Sequence, residues 1–493
     1  MSPFRIAVLA AAVLAVVLIC GCDPSDAAET DSDGTVYEYD TYGSGHPDYY
    51  CIITHVQSHS EIMYAPAVLE GYDVRYIASH SFDGCPVKSL ILPVNLVGIS
   101  EGAFTGCSDL TDVYFMGDRP AMEGAFGTGV TIHAMPDREG WGGTDIIETI
   151  TLDGIIYAML PDGAAVTGGN TFEGVLNIRS EVNGVPVKRI GDYSFAGTMK
   201  GDGTVERRSD IDRAVIPNGL ISIGQRAFYY NDIKKINIPE TVSSIRDESF
   251  RACKHLEEIA FPDGLEYIGF ESFRDCHSLI GLDIPDSVVS IGDGAFYICD
   301  SLTSVKIRTD ISSRMFGYCS SLEKVEFGDG VTSFGYGCFY GCESLKSVTV
   351  PDGVRLIPND AFRGCTALKE LDLGKTEEIG RMAFRDCSSI KEFDLPETVR
   401  TISGYAFADC VALKDIYAYG PAPEGDDTVF LNDPATIHCR KSLLASWEDS
   451  GFGLTVKGDL KEQSSNVLMI AVVSIIVIVV LVSMTLICFR MRR

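Results

Sequence analysis

Apolar and polar positions repeat regularly through the middle of the chain. The segment CKHLEEIAFPDGLEYIGFESF, which begins at Cys253, is followed 23 residues later by CHSLIGLDIPDSVVSIGDGAF, which begins at Cys276. Cys, Leu, two aliphatic positions, Pro, two further aliphatic positions and Phe recur in the same order in both segments. A period in the twenties is typical of a solenoid, in which each coil buries its apolar edge only against its neighbours.

One Phe marks each of ten such coils: Phe195, Phe228, Phe250, Phe273, Phe296, Phe316, Phe339, Phe362, Phe384 and Phe407. Within a coil, the alternation of Leu302, Val305 and Ile307 predicts a short strand, and stacked coils predict a parallel sheet with strands about 4.8 Å apart. The following portion, from Ile291 to Phe296 in one coil, predicts a turn or a short helix on the other side. The pattern therefore indicates an α/β solenoid with a parallel sheet on one side.

The repeat resembles the BspA-like leucine-rich repeats of microbial surface proteins. The resemblance covers residues 60 to 455, and a Cys column stands near the place where an ordinary leucine-rich repeat carries Asn: Cys85, Cys107, Cys253, Cys276, Cys299, Cys319, Cys342, Cys365, Cys387 and Cys410. The resemblance implies a leucine-rich repeat solenoid. It also implies a surface protein involved in attachment to host or neighbouring cells, an implication that carries only the weight of a shared fold.

A second level of repetition divides the solenoid into two modules. GYDVRYIASHSF, which begins at Gly71, parallels GVPVKRIGDYSF, which begins at Gly184. The triplet TIH occurs at 131–133 and again at 436–438, and a Trp follows each copy, at Trp141 and Trp447. We predict a short module over 51–145 and a long module of ten coils over 146–455, each with a Trp-bearing closing cap of the kind that terminal repeats need.

The ends of the chain predict export and anchoring. An apolar run from Ile6 to Ile19 indicates a signal peptide over 1–28, with an alternative lipobox that ends at Cys22. We expect a disordered acidic leader at 29–50, a short stalk at 456–466, a transmembrane helix at 467–489 and a basic cytoplasmic tail at 490–493. These segments predict a single-pass protein of the cell membrane with its N-terminal ectodomain outside.

Charge and motifs exclude several classes of function. The formal net charge is −29, which repels phosphate backbones, so we expect no nucleic-acid partner. No phosphate-binding loop, zinc-protease helix or nucleophile elbow occurs, and we expect neither an enzyme nor a cofactor. Cys51, His55 and His59 would share one face of a helix and bind zinc, but YYCIITHVQSHSEIMY reads as a strand that holds them about 13 Å apart from end to end. We therefore predict no metal site.

The cysteine column favours free thiols over disulfides. Neighbouring coils place successive Cβ atoms about 4.8 Å apart, whereas a disulfide needs roughly 3.8 Å. We therefore predict a ladder of buried thiols that pack as small hydrophobic groups.

The remaining candidate site is the exposed side of the strands. Period-two alternation points one column of side chains away from the core, and its members are Asp283, Lys306, Glu326, Thr349, Asp372, Asp394 and Tyr417. This mixed, mostly acidic face is either a binding surface for an extracellular protein or neighbouring cell, or simply a solvated face. Tyr229, Tyr297 and Tyr340, which follow the Phe of their coils, form a second contact edge or pack between coils. The alternative function is a structural one, in which the protein associates with itself into a surface layer.

Overall fold

The computed structural model describes residues 27–30, 34–42, 50–69, 72–136, 138–169, 173–199, 205–206 and 210–461. The apolar core of the predicted signal peptide, Cys22, the predicted transmembrane helix at 467–489 and the basic tail lie outside the described residues. Within the described ranges, no helix is long and apolar enough to cross a bilayer.

The first part of the chain forms two sheets. Its strands are β1 Ala27–Thr30, β2 Val36–Tyr42, β3 Tyr50–Gln57, β4 Ile62–Tyr64, β5 Val68–Leu69, β6 Tyr72–Ile77, β7 Ser89–Leu92, β8 Gly98–Ile99, β9 Asp112–Phe115, β10 Thr131–Ala134 and β11 Asp145–Ile146. One sheet has the order β1-β2-β3-β6-β5 with β8 beside β6, and the other has the order β11-β10-β9-β7-β4. From β3 onward most pairs are parallel, as stacked coils require.

The second part continues the stack. Its first strands are β12 Thr149–Leu152, β13 Ile155–Leu160, β14 Gly163–Gly169, β15 Glu173–Asn177, β16 Glu181–Val182, β17 Val185–Ile190, β18 Thr198–Met199, β19 Val205–Glu206, β20 Asp210–Val215, β21 Ser222–Ile223, β22 Lys235–Asn237, β23 Ser244–Ile245 and β24 Tyr267–Ile268. There follow β25 Gly281–Asp283, β26 Ser290–Ile291, β27 Ser304–Ile307, β28 Lys324–Phe327, β29 Ser347–Thr349, β30 Leu356–Ile357, β31 Glu370–Asp372, β32 Glu378–Ile379, β33 Glu392–Leu395, β34 Thr401–Ile402, β35 Asp415–Ala418, β36 Thr436–Arg440, a 3-10 turn Lys441–Leu443, α1 Leu444–Glu448 and β37 Thr455–Leu460.

Most coils of the long module contribute a strand of three to six residues to one side and a two-residue strand at the bend before the turns that carry Phe. The longer strands follow the predicted alternation, since Leu302, Val305 and Ile307 are all buried. The longer-strand side is divided into three sheets, β15-β20-β22, β25-β27-β28 and β29-β31-β33-β35-β36-β37. The predicted parallel sheet is therefore present but interrupted.

The second side of the coils is built of turns, so the α/β class is wrong and the fold is a β-solenoid. From Phe228 to Phe407, the residues two before and two after each stacked Phe take left-handed backbone angles, as Glu271 (φ 45°) and Asp275 (φ 61°) do on either side of Phe273. Left-handed residues at this spacing interrupt the run of right-handed residues that one helical turn needs. Backbone amides bond the next coil instead, for example Phe250 N to Ser272 O at 2.8 Å.

The Phe side chains form one continuous stack inside the long module. From Phe228 to Phe430, successive rings lie 5.1–5.7 Å apart and within 15° of parallel. Phe430 extends the predicted series by one coil, and Phe126 does the same in the short module by stacking on Phe104 at 5.0 Å. Both keep the 22–23-residue spacing, but the column Cys that follows Phe by three residues in most coils is replaced by Asp433 and Gly129, so the repeat pattern did not mark them.

The described part of the predicted acidic leader is ordered, which corrects the prediction for 29–50. Strand β2 pairs antiparallel with β1 and β3, and its side chains alternate so that Tyr37 and Tyr39 are 0% and 1% exposed. The acidic residues of VYEYDTY alternate with these tyrosines and point to the other face of the strand. Their presence makes the segment look polar when only its composition is considered. Burial of two tyrosines orders a segment that its overall polarity suggests is disordered.

The two closing caps have the same construction. The indole N–H of Trp141 donates to Gly117 O at 3.0 Å, and that of Trp447 donates to Gly420 O at 3.0 Å. Both indoles are buried. The second cap reaches further than predicted, because β37 pairs in parallel with β36 where the sequence predicts the start of a stalk at 456.

Two main hydrophobic clusters fill the described residues, and polar contacts join the regions around them. One cluster runs from Tyr37 to Trp141 and the other from Ile155 to Phe452. The Gln225 side chain accepts a bond from Val68 N at 2.9 Å and donates to Val68 O at 2.7 Å, as an added strand would. Arg226 reaches Asp73, so the long module is tied to the short one at this seam. The exact module boundaries remain a prediction.

Candidate functional site

The predicted column of outward side chains lies exposed on the strand side, which we call the strand face. Strand register pairs Asp283 with Lys306 and Lys306 with Glu326. A second run pairs Thr349 with Asp372, Asp372 with Asp394, and Asp394 with Tyr417. The structure brings these seven residues into two aligned runs, and the sheet is interrupted between Glu326 and Thr349. Their role in binding remains a prediction.

The first run is largely neutralised by its own ion pairs. Asp283 lies 3.8 Å from Lys306 Nζ and 3.1 Å from an Arg308 nitrogen. Glu326 accepts a bond from Lys324, and this bond lowers the pKa of the Glu326 carboxyl. Because all these groups are exposed, the pairs add little stability, but they leave little net charge to attract a partner.

In the second run, positive side chains lie just before the strands and negative side chains lie on the strands. The residue just before each strand is an exposed lysine in four coils, and we call this set the lysine row: Lys346, Lys369, Lys391 and Lys414. Beside it on the strands lie the acidic rows, Glu370, Asp372, Glu392, Asp394 and Asp415. Sequence analysis selected the acidic column and missed the lysine row, although the recurrence of Lys every 22–23 residues is visible in the sequence. The face therefore carries positive charge at the start of the strands and negative charge along them, and we call this arrangement dipolar. It is not mostly acidic.

A histidine closes the strand face at each module's end. His438 Nε2 lies 2.9 Å from Asp415, His438 Nδ1 lies 2.9 Å from Asp459, and the ring stacks on Tyr417 at 5.3 Å. Partial burial lowers the pKa of His438, but the bonds to the two carboxylates outweigh it, and the net pKa is raised. In the first module His133 stacks on Tyr114 at 4.5 Å and bonds Asp112 at 2.9 Å, which lowers the pKa of Asp112. The recurrent TIH triplet was the signal for this pair.

A ladder of alternating charges runs along the opposite side, beside the stacked Phe residues. We call this side the turn edge. Arg226 bonds Glu248 at 2.7 Å, Arg251 bonds Glu248 at 2.8 Å and Glu271 at 2.6 Å, and Arg274 also bonds Glu271. Glu248 is fully buried, so its charge depends on these arginines. Sequence analysis missed the ladder because its members come from coils 22–23 residues apart and their facing geometry depends on the stack.

The turn-edge tyrosines split between two environments. Tyr229 packs beneath Arg226 and Arg251, whose guanidinium carbons lie 5.3 and 5.9 Å from its ring centre. Burial raises the pKa of Tyr229 to about 12. Tyr297 and Tyr340 remain half-exposed and line a pocket further along the edge. All three are partly exposed, but only the latter two border a pocket.

The cysteine column forms the predicted ladder of buried free thiols. The thiols also make a bond that the sequence did not show. Each column thiol from Cys253 to Cys410 donates to the carbonyl oxygen of a Phe in an earlier coil, at 3.1–3.3 Å. Burial raises the pKa of Cys319 to about 12 and keeps it protonated. In the preceding coil Asn231 takes the same place and its amide donates to Phe195 O at 3.1 Å.

The Cys51, His55 and His59 segment lies on strand β3 and the turn that follows, as the strand reading predicts. Cys51 is buried and His59 is exposed. Across the described ranges, no group of three or more His, Cys, Asp or Glu side chains is arranged to hold a metal ion.

Comparisons with known proteins agree with this architecture. The model for the family described as BspA type Leucine rich repeat region matches residues 69–123, 221–312 and 309–433, in six copies. No curated protein matches the chain significantly.

Several solved structures are similar to the chain. The leucine-rich repeat protein TpLRR of T. pallidum is 27% identical over 40% of this chain and 91% of its own, with a TM-score of 0.34. A leucine-rich repeat protein from Bacteroides ovatus is 23% identical over 85% and 97%, with a TM-score of 0.41. The pneumococcal vaccine antigen PcpA is 19% identical over 60% and 88%, with a TM-score of 0.39.

The family match covers more than half of the chain and falls on the coils that stack Phe on Phe and bond Cys to the earlier coil. This protein belongs to the BspA type leucine-rich repeat family.

Proposed function

We propose that this protein is an exported, membrane-anchored surface protein whose strand face recognises an extracellular protein or a neighbouring cell. The observation that carries the proposal is the dipolar second run of the strand face. There a lysine row and two acidic rows lie exposed side by side over four to five coils. No catalytic step is proposed, because the family and the face both suit a scaffold for protein contact.

The charge pattern favours a protein partner over a simple ion. Lysines and carboxylates lie on neighbouring positions of each coil, roughly 3–10 Å apart along the strand, and the pattern repeats at about 4.8 Å from coil to coil. A partner with the opposite pattern gains orientation and association rate from such a face more than raw affinity. Binding through it is expected to weaken as salt screens the charges.

The binding test uses the full-length chain in mild detergent against intact cells and immobilised extracellular matrix proteins. Saturable binding that falls at least tenfold in Asp372→Lys/Asp394→Lys supports the proposal. Glu240→Lys/Asp263→Lys is the matched control, because these carboxylates are exposed in the turns after the strands, outside the face. Equal loss in both double variants, or no binding at any salt concentration, contradicts a role for the strand face.

Export and anchoring have their own test. Protease added to intact cells should remove the solenoid and leave residues 467–489 with the membrane fraction. A chain that is protected on intact cells and cut only after lysis contradicts the surface location.

A second candidate function is self-association, and the same face favours it. If two copies meet face to face across a two-fold axis parallel to the solenoid, the lysine row of one copy lies over the acidic rows of the other. This isologous contact is self-complementary. Sedimentation should then show dimers that Lys369→Glu/Lys391→Glu disrupts, and mixing this variant with Asp372→Lys/Asp394→Lys should restore them. A chain that stays monomeric at high concentration rules out self-association through this face.

A further inference from the structure

A small pocket opens on the turn edge, on a different side of the solenoid from the strand face. Its volume is about 210 Å³, and its walls are Tyr297, Arg314, Tyr318, Tyr336, Tyr340 and Arg363. Asp360 and Gly337 complete the lining. Four tyrosines from three consecutive coils therefore surround one space.

Glycines create this space. The position two before the stacked Phe holds Glu248 and Glu271 in earlier coils but Gly294 and Gly337 here. The position after Phe316 is Gly317, where an added Cβ would lie 2.7 Å from a ring carbon of Tyr297. The coil between Phe296 and Phe316 is also shortened to 20 residues. The ladder of long charged side chains stops at this point, and aromatic rings form the walls of a recess.

The rings stand at steep angles to one another, so the recess has walls on more than one side. Tyr318 lies 5.6 Å from Tyr297 at 85° and 4.9 Å from Tyr340 at 75°. Tyr318 and Tyr336 are 43% and 51% exposed, which is high for aromatic side chains. The pocket therefore presents ring faces and phenol groups to solvent.

One arginine at the pocket has no carboxylate within ion-pair distance among the described residues, although Asp360 lines the same pocket. Arg314 is exposed and makes no ion pair within the described ranges of the chain. Arg363 is different, because it bonds Asp360 at 3.2 Å and its guanidinium lies 5.4 Å from the Tyr340 ring centre. Arg314 is therefore the group available to an anion.

We propose that this pocket binds a carboxylated sugar unit of an acidic glycan. Ring faces carry negative partial charge and suit the C–H groups on the face of a pyranose ring. Phenol groups donate to and accept from its hydroxyls, and the Arg314 guanidinium pairs with its carboxylate through two parallel bonds. A cationic ligand is disfavoured by Arg314, which makes no ion pair within the described ranges, and a purely apolar ligand would cover that charge without supplying a partner.

Size agrees with one sugar unit. The pocket is smaller than the roughly 300–1,000 Å³ that drug-sized ligands occupy, so it encloses one ring while the rest of the glycan lies on the surface. With a net charge of −29, the protein as a whole repels polyanions. Recognition of an acidic glycan must therefore come from local contacts, and the inference is independent of the strand face.

The experiment titrates hyaluronan tetrasaccharide into the full-length chain in mild detergent, by calorimetry. Chitotetraose is the neutral probe of the same length, and inorganic phosphate tests for a simple anion site. We expect saturable binding of the acidic tetrasaccharide, at least tenfold weaker binding of chitotetraose, and no measurable binding of phosphate.

Two variants and a control assign the binding to the pocket. Arg314→Gln removes the charge and should weaken hyaluronan binding at least tenfold, and Tyr336→Ala removes an exposed wall and should weaken it at least threefold. Arg381→Gln is the matched control, because Arg381 also lies over a tyrosine, Tyr405, at 5.6 Å on the same edge but outside the pocket. Unchanged thermal unfolding of the variants shows that they are folded.

The contrary outcomes are distinct. If phosphate binds as tightly as the tetrasaccharide, the pocket is an anion site and the sugar assignment is wrong. If chitotetraose binds equally well, the carboxylate is not recognised and the role of Arg314 is wrong. The glycan proposal is overturned if neither oligosaccharide binds. It is also overturned if Arg314→Gln abolishes the binding of a protein in the screen of cells and matrix proteins but leaves the binding of the oligosaccharides unchanged.

Discussion

One side-chain position in each coil places a hydrogen-bond donor against the carbonyl of an earlier Phe. In most coils the donor is a thiol, such as Cys276 to Phe250 O at 3.2 Å, and at Asn231 it is an amide. The two residue types are chemically unlike but supply a donor at the same point of the stack. The column is therefore selected for donation in a narrow space as well as for apolar packing.

This shared role predicts unequal costs of truncation. Asn231→Ala removes the bond to Phe195 O and leaves the buried amide of Ile233 without its side-chain acceptor. It should cost about 2–4 kcal/mol, because an unpaired buried group costs about 1–3 kcal/mol and a lost hydrogen bond about 0.5–1.5 kcal/mol. Cys276→Ala loses a weak donor and a small volume and should cost less, about 1–2 kcal/mol. Urea unfolding midpoints of the two variants measure the difference, with exposed Thr303→Ala as the control. Equal midpoints would contradict the donor role.

Burial also predicts slow thiol chemistry. Because burial raises the pKa of Cys107 and of Cys319 to about 12, almost no thiolate exists at pH 8 in the folded chain. Iodoacetamide should leave the described cysteines unlabelled until urea unfolds the protein, as peptide mass spectrometry would show. Rapid labelling of the Cys319 peptide in the folded state would mean that the coils open readily.

At the scale of elements, the closing caps combine a buried Trp with a partly buried Asp–His contact. The second cap is the more strongly linked, because His438 bridges Asp415 on β35 and Asp459 on β37. Lys457 on β37 lies opposite His438 in the strand register, and the Tyr417 ring stacks on the His438 ring. A protonated ring can donate to both carboxylates at once, whereas a neutral ring can donate to only one.

The second cap should therefore loosen as pH rises. The folded-state pKa of His438 is raised above its unfolded value, so its stabilising contribution is complete below the unfolded pKa of about 6.5 and is lost as pH rises through the folded pKa. Hydrogen exchange of 455–460, corrected for its intrinsic pH dependence, should show less protection at pH 8.5 than at pH 5.5. His438→Gln should remove this difference, and protection that is independent of pH in the wild-type chain would contradict it.

At the scale of the whole molecule, the charge ladder and the seam join the coils to the first module. Arg226 contacts Glu248 on one side and Asp73 of the first module on the other, while Gln225 bonds the backbone of Val68. Contacts in a solenoid are otherwise limited to neighbouring coils. The seam is a long-range contact that makes the two modules cooperate.

Loss of the seam should separate the unfolding of the two modules. Gln225→Ala removes bonds to Val68 and should split one thermal transition into two, or lower the temperature of the first. Glu248→Gln should destabilise the long module by about 1–3 kcal/mol. This is less than the roughly 3–5 kcal/mol of a fully broken buried pair, because Arg226 keeps Asp73 and Arg251 keeps Glu271. Calorimetry measures both, and Glu257→Gln, an exposed change, is the control. Unaltered single transitions in both variants would show that the ladder and the seam do not couple the modules.

The sequence by itself determined the period, the short strands, the recurring Phe column, the thiol ladder and the paired Trp caps, because each of these depends on residue types at fixed local spacing. The sequence also predicted a short helix as one alternative for the second side of the coil, and a disordered segment at residues 29–50. The helix prediction failed because left-handed angles flank the Phe residues from Phe228 to Phe407, and the disorder prediction failed for the described part because Tyr37 and Tyr39 are buried among acidic neighbours. Only the tertiary structure decided the charge ladder, the seam at Gln225 and the tyrosine pocket. These depend on which side chains face each other across stacked coils, and that facing is set by coil length and register rather than by any local pattern.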